Sequence, residues 1–460
     1  MKITGFDKVI EMYDLKINIA MNEHSTCRFS AIIDEVDIAK YIEMAKSEKS
    51  VEISTESGLL LMKGIVQNIQ VKKTYINTVI FVSIISNSII AERTFNKRIF
   101  QDTRKKVKDI IAKYNYNISI QKGEKLEENI EDIVVQNNEN DFSFLKNLCA
   151  KYECGLWIEA DDIVIGHINN KNSKDISGKI ITYNAIYTKD IDTYKLKCQE
   201  YIKNGSTINY DGENLIITEV EITESFKEAY YLYTAVNKID FSAYTNTQSS
   251  IDLGRGKVIK NTDKENKGRI QVEFLDYENI CDNTENSYIM PYLTPFEGKD
   301  NCGFMMMPDI GDIVMVYVYN EKSVAIGTLR EKEVNDSIKN IEHKTICIGK
   351  DRFIRFDDKD IYIQNTEESS LTISNKSINI KTKNGEISIS QDKNCILLNK
   401  DSIKADSDNN ITNAKKIAVK SSGNVEINAS KSLNLSGATG ASINGKTKVI
   451  IKGANIDLNN

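Results

Sequence analysis

The sequence predicts a mainly β protein with a few helices in its first half, a small OB-type barrel in the middle, and an intertwined trimeric β-helix at the end. Three observations predict it. From Gln364 to Asn460 there is no aromatic residue, proline, histidine, arginine or methionine, although cores of that size normally use such residues to fill irregular space. Within that stretch one apolar position recurs at a spacing of eight residues. Between 254 and 332, short alternating runs are separated by glycine-marked turns, and all three prolines (Pro291, Pro295, Pro308) fall there.

Taken in order, residues 1–250 mix strands with a few helices. Leu59–Val71 and Thr78–Ile85 are β-like and form a hairpin or meander. Lys105–Tyr114 carries Val107, Ile110, Ile111 and Tyr114 on one side, the spacing of an amphipathic helix. Asn140–Tyr152 is a second helix, with Phe144, Leu145 and Leu148 inward and Asn140 as its N-cap. Leu156–Ile158 and Ile163–Ile165 then read as strands about an Asp161–Asp162 turn.

Residues 254–332 give five strands. Lys257–Ile259 and Arg269–Phe274 are joined through a polar loop closed by Gly268. SYIMPYLTPF makes the third. The run from Gly303 to Glu331 gives two more, with Pro308 and Gly311 forming the turn and Val314, Val316 and Val318 alternating inward. Five short strands of this kind suit an OB barrel. Nucleic-acid barrels interleave basic residues with exposed aromatics; here Asp276, Glu278, Asp309 and Asp312 balance the bases, so no nucleic-acid partner is expected. Residues 333–360 read as a linker and the start of the terminal region, which fills 361–460.

The repeat positions are Ile403, Ile411, Val419, Ile427, Leu435, Ile443 and Ile451, most with an apolar partner two residues earlier (Ile417, Val425, Leu433, Ala441, Val449). Each unit is a short strand with both apolar side chains on one face, separated by Ser, Asn, Gly and Lys, the residues of turns. Upstream the doublets are Ile378/Ile380, Ile387/Ile389 and Ile396/Leu398. Eight residues are consumed by one strand and one turn, so a unit makes one wall of a prism. Three copies of the chain close it, with each strand paired to neighbours from other chains. About a dozen units at ~4.8 Å per paired strand give a needle of roughly 60 Å. A disordered tail lacks such periodicity; a fibre or receptor-binding stalk would use the same physics.

The net charge of −6 over 460 residues favours neither a nucleic-acid face nor an acidic tail. No run approaches the ~20 apolar residues of a membrane span, and Asp7, Lys8, Glu11 and Asp14 interrupt the amino terminus. Synthesis in the cytoplasm without a signal peptide is expected. The eight cysteines form no CxxC pair and read as free, mostly buried thiols.

Several phrases together resemble the VgrG-type spikes of type VI secretion and related phage tail hubs. RIFQ (Arg98, Phe100 and Gln101 within it) followed by an amphipathic helix is one. Val134–Gly166 is another, where Gln136, Glu139, Asp141, Phe144, Leu145, Leu148 and Gly155 sit at the family's pattern positions. GRIQVEF from Gly268 is similar to the first OB strand motif, and the run through Pro308, Gly311 and Asp312 to its flat-turn motif. IGTLR (Ile326–Arg330) resembles its closing phrase, and the repeat its spike. The phrases cover nearly all the chain in the family's order.

The resemblance implies a homotrimer: tail-hub β-barrel domains in a ring under a tail tube, an OB-fold collar below, and a β-helix needle toward the target envelope. It implies an inner-tube protein, baseplate wedge proteins and a PAAR-like tip-cap protein as partners, in a particle assembled after cytoplasmic synthesis. No cofactor, metal or catalytic set is expected: His24, His167 and His343 are isolated, and no HExxH, GxSxG or P-loop occurs. The roughly thirty residues between Arg330 and Ile361 leave no room for an inserted enzyme, and two residues follow Leu458. The alternatives are a cell-wall hydrolase carried on a tail-type scaffold, and a passive β-helical fibre or receptor-binding stalk.

Overall fold

The computed structural model describes residues 1–120, 124–166, 174–225, 228–244, 252–280, 286–299, 303–319, 322–330, 333, 339–340, 342–348, 351–366, 368–392 and 394–457. The chain divides into two compact units, Met1–Glu333 and Val334–Asn460. None of the described helices is long and apolar enough to cross a membrane.

The first unit is built on a twelve-stranded sheet. Its path runs Lys2–Ile3, Ser50–Ser54, Leu60–Lys73, Thr78–Ser86, Thr26–Ile33, Glu11–Ala20, Glu213–Ser225, Glu228–Val236, Thr193–Cys198, Thr182–Ile186, and off this path Thr207–Tyr210 pairs with Glu213–Ser225 and with Lys174–Asp175. The expected hairpin of Leu60–Lys73 with Thr78–Ser86 is present, antiparallel. The two halves are joined where Val220 faces Ile19 and Ile222 faces Ile17. All four are buried in one core with Tyr233 and Tyr41, because successive strand residues point to opposite faces and this set shares a parity.

A second core belongs to the helices. Asp141–Lys151 is helical and capped as expected, Asn140 Oδ1 accepting from the Ser143 amide at 2.7 Å. The helix expected over Lys105–Tyr114 is regular only over Val107–Ile111. Beyond it Lys113 and Tyr114 donate to carbonyls three residues back, so the last turn tightens; Val107, Ile110, Ile111 and Tyr114 are nevertheless all buried in this core. The hairpin Gly155–Glu159 with Asp162–Gly166 turns at Ala160–Asp161, one residue earlier than expected, with Ala160 at φ 55°.

The OB region is a five-stranded sheet in the order Met290–Pro291, Arg269–Phe274, Asp252–Lys260, Ile313–Tyr319, Lys322–Thr328. A parallel bridge from Tyr292 to Ala325 joins its two ends, giving a near-closed barrel. Val314, Val316 and Val318 point into it, all buried. The third strand is only two residues long, since Pro291 and Pro295 cannot donate to a ladder. The barrel core is not self-contained: Ile99 and Ile133, from the first half, are buried within it.

The second unit is two antiparallel meanders. One runs Lys344–Ile348, Arg352–Phe356, Asp360–Asn365, Ser369–Ser374, Ile378–Thr382; the other Ile387–Gln391, Asn394–Leu398, Ile403–Asp406. Strands thus already occupy 344–356, where a linker and the start of the needle were expected. The intertwined β-helix expected over 361–460 is not present in the single chain. From 360 to 406 the strands pair within one chain, and the described residues after 406 form no strand. Short strands joined by tight turns fold back on their own neighbours here, as where Leu398 faces both Ile387 and Ile403, and leave the apolar doublets exposed.

Candidate functional site

Functional positioning centres on the strand Phe95–Phe100, which holds RIFQ. It pairs antiparallel with Val134–Asn140 (Arg98 opposite Gln136) and parallel with Glu278–Asn279 of the OB region. Alternation splits its side chains: Phe100 enters the helical core and Ile99 the barrel core. The RIFQ phrase is therefore a wall shared by two cores.

Its polar members meet at Asp141, the first residue of the helix. One Asp141 oxygen accepts from Arg98 at 2.9 Å, Gln136 Nε2 at 2.8 Å and Asn96 Nδ2 at 2.8 Å; the other accepts from the Tyr116 hydroxyl at 2.8 Å. Gln136 is fully buried. Its Oε1 accepts from Tyr114 at 2.9 Å, and its amide also donates to the Glu139 carbonyl at 3.1 Å. The Arg98 guanidinium lies 5.2 Å from the Tyr114 ring centre and reaches out to Glu278 at 3.0 Å. A buried carboxylate with this many donors is satisfied. Burial pushes the Tyr114 phenol well above its ordinary value, and burial with the Asp141 hydrogen bond pushes Tyr116 up to about 12. Both stay protonated donors at neutral pH, so the cluster is a lock that keeps its phenolic donors there.

Gln101 continues the junction, its amide donating to Asn279 Oδ1 at 2.9 Å. The Asn279 amide donates back to the Phe274 carbonyl at 2.6 Å. Asp132 is a third tie, accepting from the Tyr288 hydroxyl at 3.2 Å and the Ser323 hydroxyl at 3.3 Å. Asn279, Asp132 and Tyr116 escaped the sequence reading; each is a polar residue in an acidic or polar run, and nothing in the pattern marks it as inward.

The remaining motif residues are structural fits. Phe144 stacks on Phe100 with centroids 6.0 Å apart, and Leu145 is fully buried beside them. A Cβ on Gly155 would come within 2.2 Å of the Trp157 ring. Gly268 and Gly311 have φ of 67° and 97°, the region open to glycine at no steric cost. The Pro308 carbonyl accepts from Asn261 Nδ2 at 2.9 Å, and Asp312 Oδ2 accepts the Asp309 amide at 2.9 Å. Gly311 and Asp312 then bind both backbone groups of Val258, fixing the turn on the barrel. Asp276 and Glu278 are engaged by Arg255 and Arg98.

Ser88, His24 and Glu92 stand in the order of a nucleophile, base and acid, with Ser88 Oγ 2.7 Å from Nδ1 and Glu92 Oε1 3.2 Å from Nε2. Ser88 is buried, however, and its hydroxyl is 2.6 Å from Ser86 Oγ, while the imidazole sits 3.9 Å from the Phe142 ring. This geometry ties the 3-10 segment Asn87–Glu92 to the helix. Among the described residues no three His, Cys, Asp or Glu side chains are grouped to hold a metal. Cys27, Cys149, Cys154, Cys198, Cys347 and Cys395 are free thiols; burial pushes Cys27 up to about 12 and Cys154 up to about 11, which makes them unreactive. Cys281, Cys302 and His167 lie outside the described residues.

The seven repeat positions are not brought together in the single chain. Ile403, Ile411, Val419, Ile427, Leu435, Ile443 and Ile451 are 62–79% exposed.

Residues 254–326 match the family described as the type VI secretion system/phage-baseplate injector OB domain. A chain in the half-lidded Francisella PdpA–VgrG complex aligns with TM-score 0.53 and 10% identity, over 80% of this chain and 83% of that one. The lidded form gives 0.52 and 10%, over 80% and 76%. The E. coli c3393 protein, a type VI secretion component with structural similarity to the T4 bacteriophage tail proteins gp27 and gp5, aligns with TM-score 0.49 and 12% identity over 72% of this chain and 99% of its own. No curated protein sequence matches the chain. At such identities the likeness is one of fold. The chain is therefore similar to VgrG-type spikes and phage tail or baseplate proteins, and carries an injector-type OB domain at residues 254–326.

Proposed function

We propose that the chain is the structural hub-and-spike of a contractile injection machine, joining an inner tube to a piercing needle as a homotrimer. The observation that carries this reading is the injector-type OB barrel with Ile99 and Ile133 of the preceding region buried in its core. Force entering the hub then passes to the collar through packed side chains and the Asp141 lock. In this reading residues 1–250 are the hub, 254–332 the collar and 361–460 the spike. Partners are an inner-tube protein, baseplate wedge proteins and a PAAR-like tip cap. The protein is made in the cytoplasm, assembled into a tail or baseplate particle, and driven into the target envelope on contraction. Its action is mechanical, and no catalytic step is assigned to it.

Negative-stain images of the purified full-length protein test the reading. A ring-like head bearing one narrow shaft is expected. Compact single-chain particles without a shaft would overturn it.

A further inference from the structure

The helix Asp141–Lys151 starts at the Asp141 cluster and ends on a turn that brings two cysteines together. Glu153 sits at φ 52°, the left-handed conformation that closes many helices. The Cys154 amide donates to the Cys149 carbonyl at 2.8 Å, and the Glu153 amide to the Ala150 carbonyl at 3.1 Å. This nested pair of bonds is the Schellman arrangement, in which the residue after the left-handed one packs against the residue whose carbonyl it binds. Two hydrophobic side chains commonly fill those places. In this helix both are thiols.

The pair is enclosed and close. Cys149 and Cys154 are 0% and 1% exposed and belong to one core. The bond between their backbones sets the two α-carbons about 6 Å apart, as one hydrogen-bonded turn of helix does, within the roughly 4.4–6.8 Å that a disulfide spans. Burial and the neighbouring Cys154 push the Cys149 thiol well above its ordinary value. The two differ in access. Cys154 follows Glu153, whose carboxylate pairs with Lys125 at 2.6 Å on the surface, and the Lys125 charge favours a Cys154 thiolate against burial. Cys149 lies deeper, on the inward face of the helix one turn from Leu145.

We propose that Cys149 and Cys154 form a disulfide site, closed by exchange with a low-molecular-weight disulfide when the protein meets an oxidising medium. Cys154 gives its proton to water, attacks one sulfur of the reagent and expels one thiolate. Cys149 then gives up its proton and attacks Cys154 Sγ, which forms the protein disulfide and expels the second thiolate. The two thiolates take up the two released protons. The protein loses two electrons and two protons, and the reagent gains them as two thiols. Burial keeps each cysteine protonated and so slows the exchange, but the product joins groups that the folded turn already holds side by side. The helix is then tied at both ends, by the hydrogen bonds to Asp141 and by the new bond next to the strand Gly155–Glu159.

Equilibration of the full-length protein in glutathione buffers at neutral pH tests the site. After acid quenching and denaturation the chain is cleaved at lysine. Lys151 lies between the two cysteines, so the fragment ending at Lys151 and the one starting at Tyr152 stay joined only through the disulfide and part on reduction. At fixed reduced glutathione, half-oxidation of the folded protein is expected at about tenfold less oxidised glutathione than for the same chain unfolded in guanidinium. An equal or larger requirement would overturn the site, since the folded turn would then not favour the bond. In Cys149→Ala, Cys154 is expected to keep one glutathione that a reductant removes; in Cys154→Ala, Cys149 is expected to stay unmodified. The opposite pattern would overturn the order of attack. Glutathione retained on Cys154 of the native protein, or a link from either residue to another cysteine, would overturn the pairing.

Discussion

Asp141 is almost fully enclosed and accepts hydrogen bonds from four side chains. Removing it leaves Arg98 with its outer partner Glu278 but strands the buried Gln136 amide and the half-buried Asn96 and Tyr116 donors, where an unsatisfied buried polar group costs about 1–3 kcal/mol. Asp141→Ala is expected to lower unfolding stability by that order, read from denaturant midpoints at constant slope. A change under about 0.5 kcal/mol, as for ordinary surface sites, would contradict the lock. Asp263 adds a tie whose strength depends on pH. Arg269 binds both its oxygens at 2.8 Å and, with the Glu265 and Lys267 amides, holds its carboxyl well below the ordinary 3.8. A carboxylate depressed by folding adds stability above its unfolded value and loses it as pH falls toward the folded one. Asp263→Asn should therefore be less stable than the native protein at neutral pH, with the gap narrowing below pH 3.8. A gap that widens in acid would contradict the sign. Arg98 and Gln136 were legible as members of recurring phrases. Their meeting at Asp141 was not, since hydrogen bonds across chain separations of 38 to 43 residues leave no periodic trace in a sequence.

The strand Phe95–Phe100 is the element on which the first unit turns, because Ile99 and Phe100 serve different cores. Two cores that share a wall unfold together. Calorimetry of the full-length protein is expected to show hub and collar melting in one transition, and Ile99→Asp to weaken both through a buried carboxylate, by about 3–5 kcal/mol. Separate hub and collar transitions would contradict the shared wall. At this scale the sequence was most readable where periodicity is strong: the Leu60–Lys73 hairpin, the capped helix after Asn140 and the inward valines at 314, 316 and 318 all stand as expected. It was less readable where two prolines shortened the third barrel strand. Nor did local pattern tell that Ile99 and Ile133 complete a barrel beginning more than a hundred residues later, since an apolar residue in a strand says that it is buried but not against what.

The whole molecule joins a first unit with four hydrophobic clusters to a second with no buried residue among those described. The composition break near residue 364 announced that difference. The single chain leaves the repeat positions exposed, and in the proposed trimer other copies supply the walls for their apolar doublets. If three copies supply them, Ile427→Asp sets three carboxylates around one apolar axis, and the full-length variant is expected to lose the closed needle, seen as rapid proteolysis after residue 406. A needle as resistant as the native one would contradict the register. The most direct measurement of the central claim is the solution mass of the full-length protein beside a version ending at Arg330. The account predicts a particle of about three times 52.1 kDa for the full chain, and a weakened or monomeric state for the shortened one. A full-length chain that stays monomeric at micromolar concentration would contradict it, because the exposed repeat positions from Ile403 to Ile451 would then have no copies to close on.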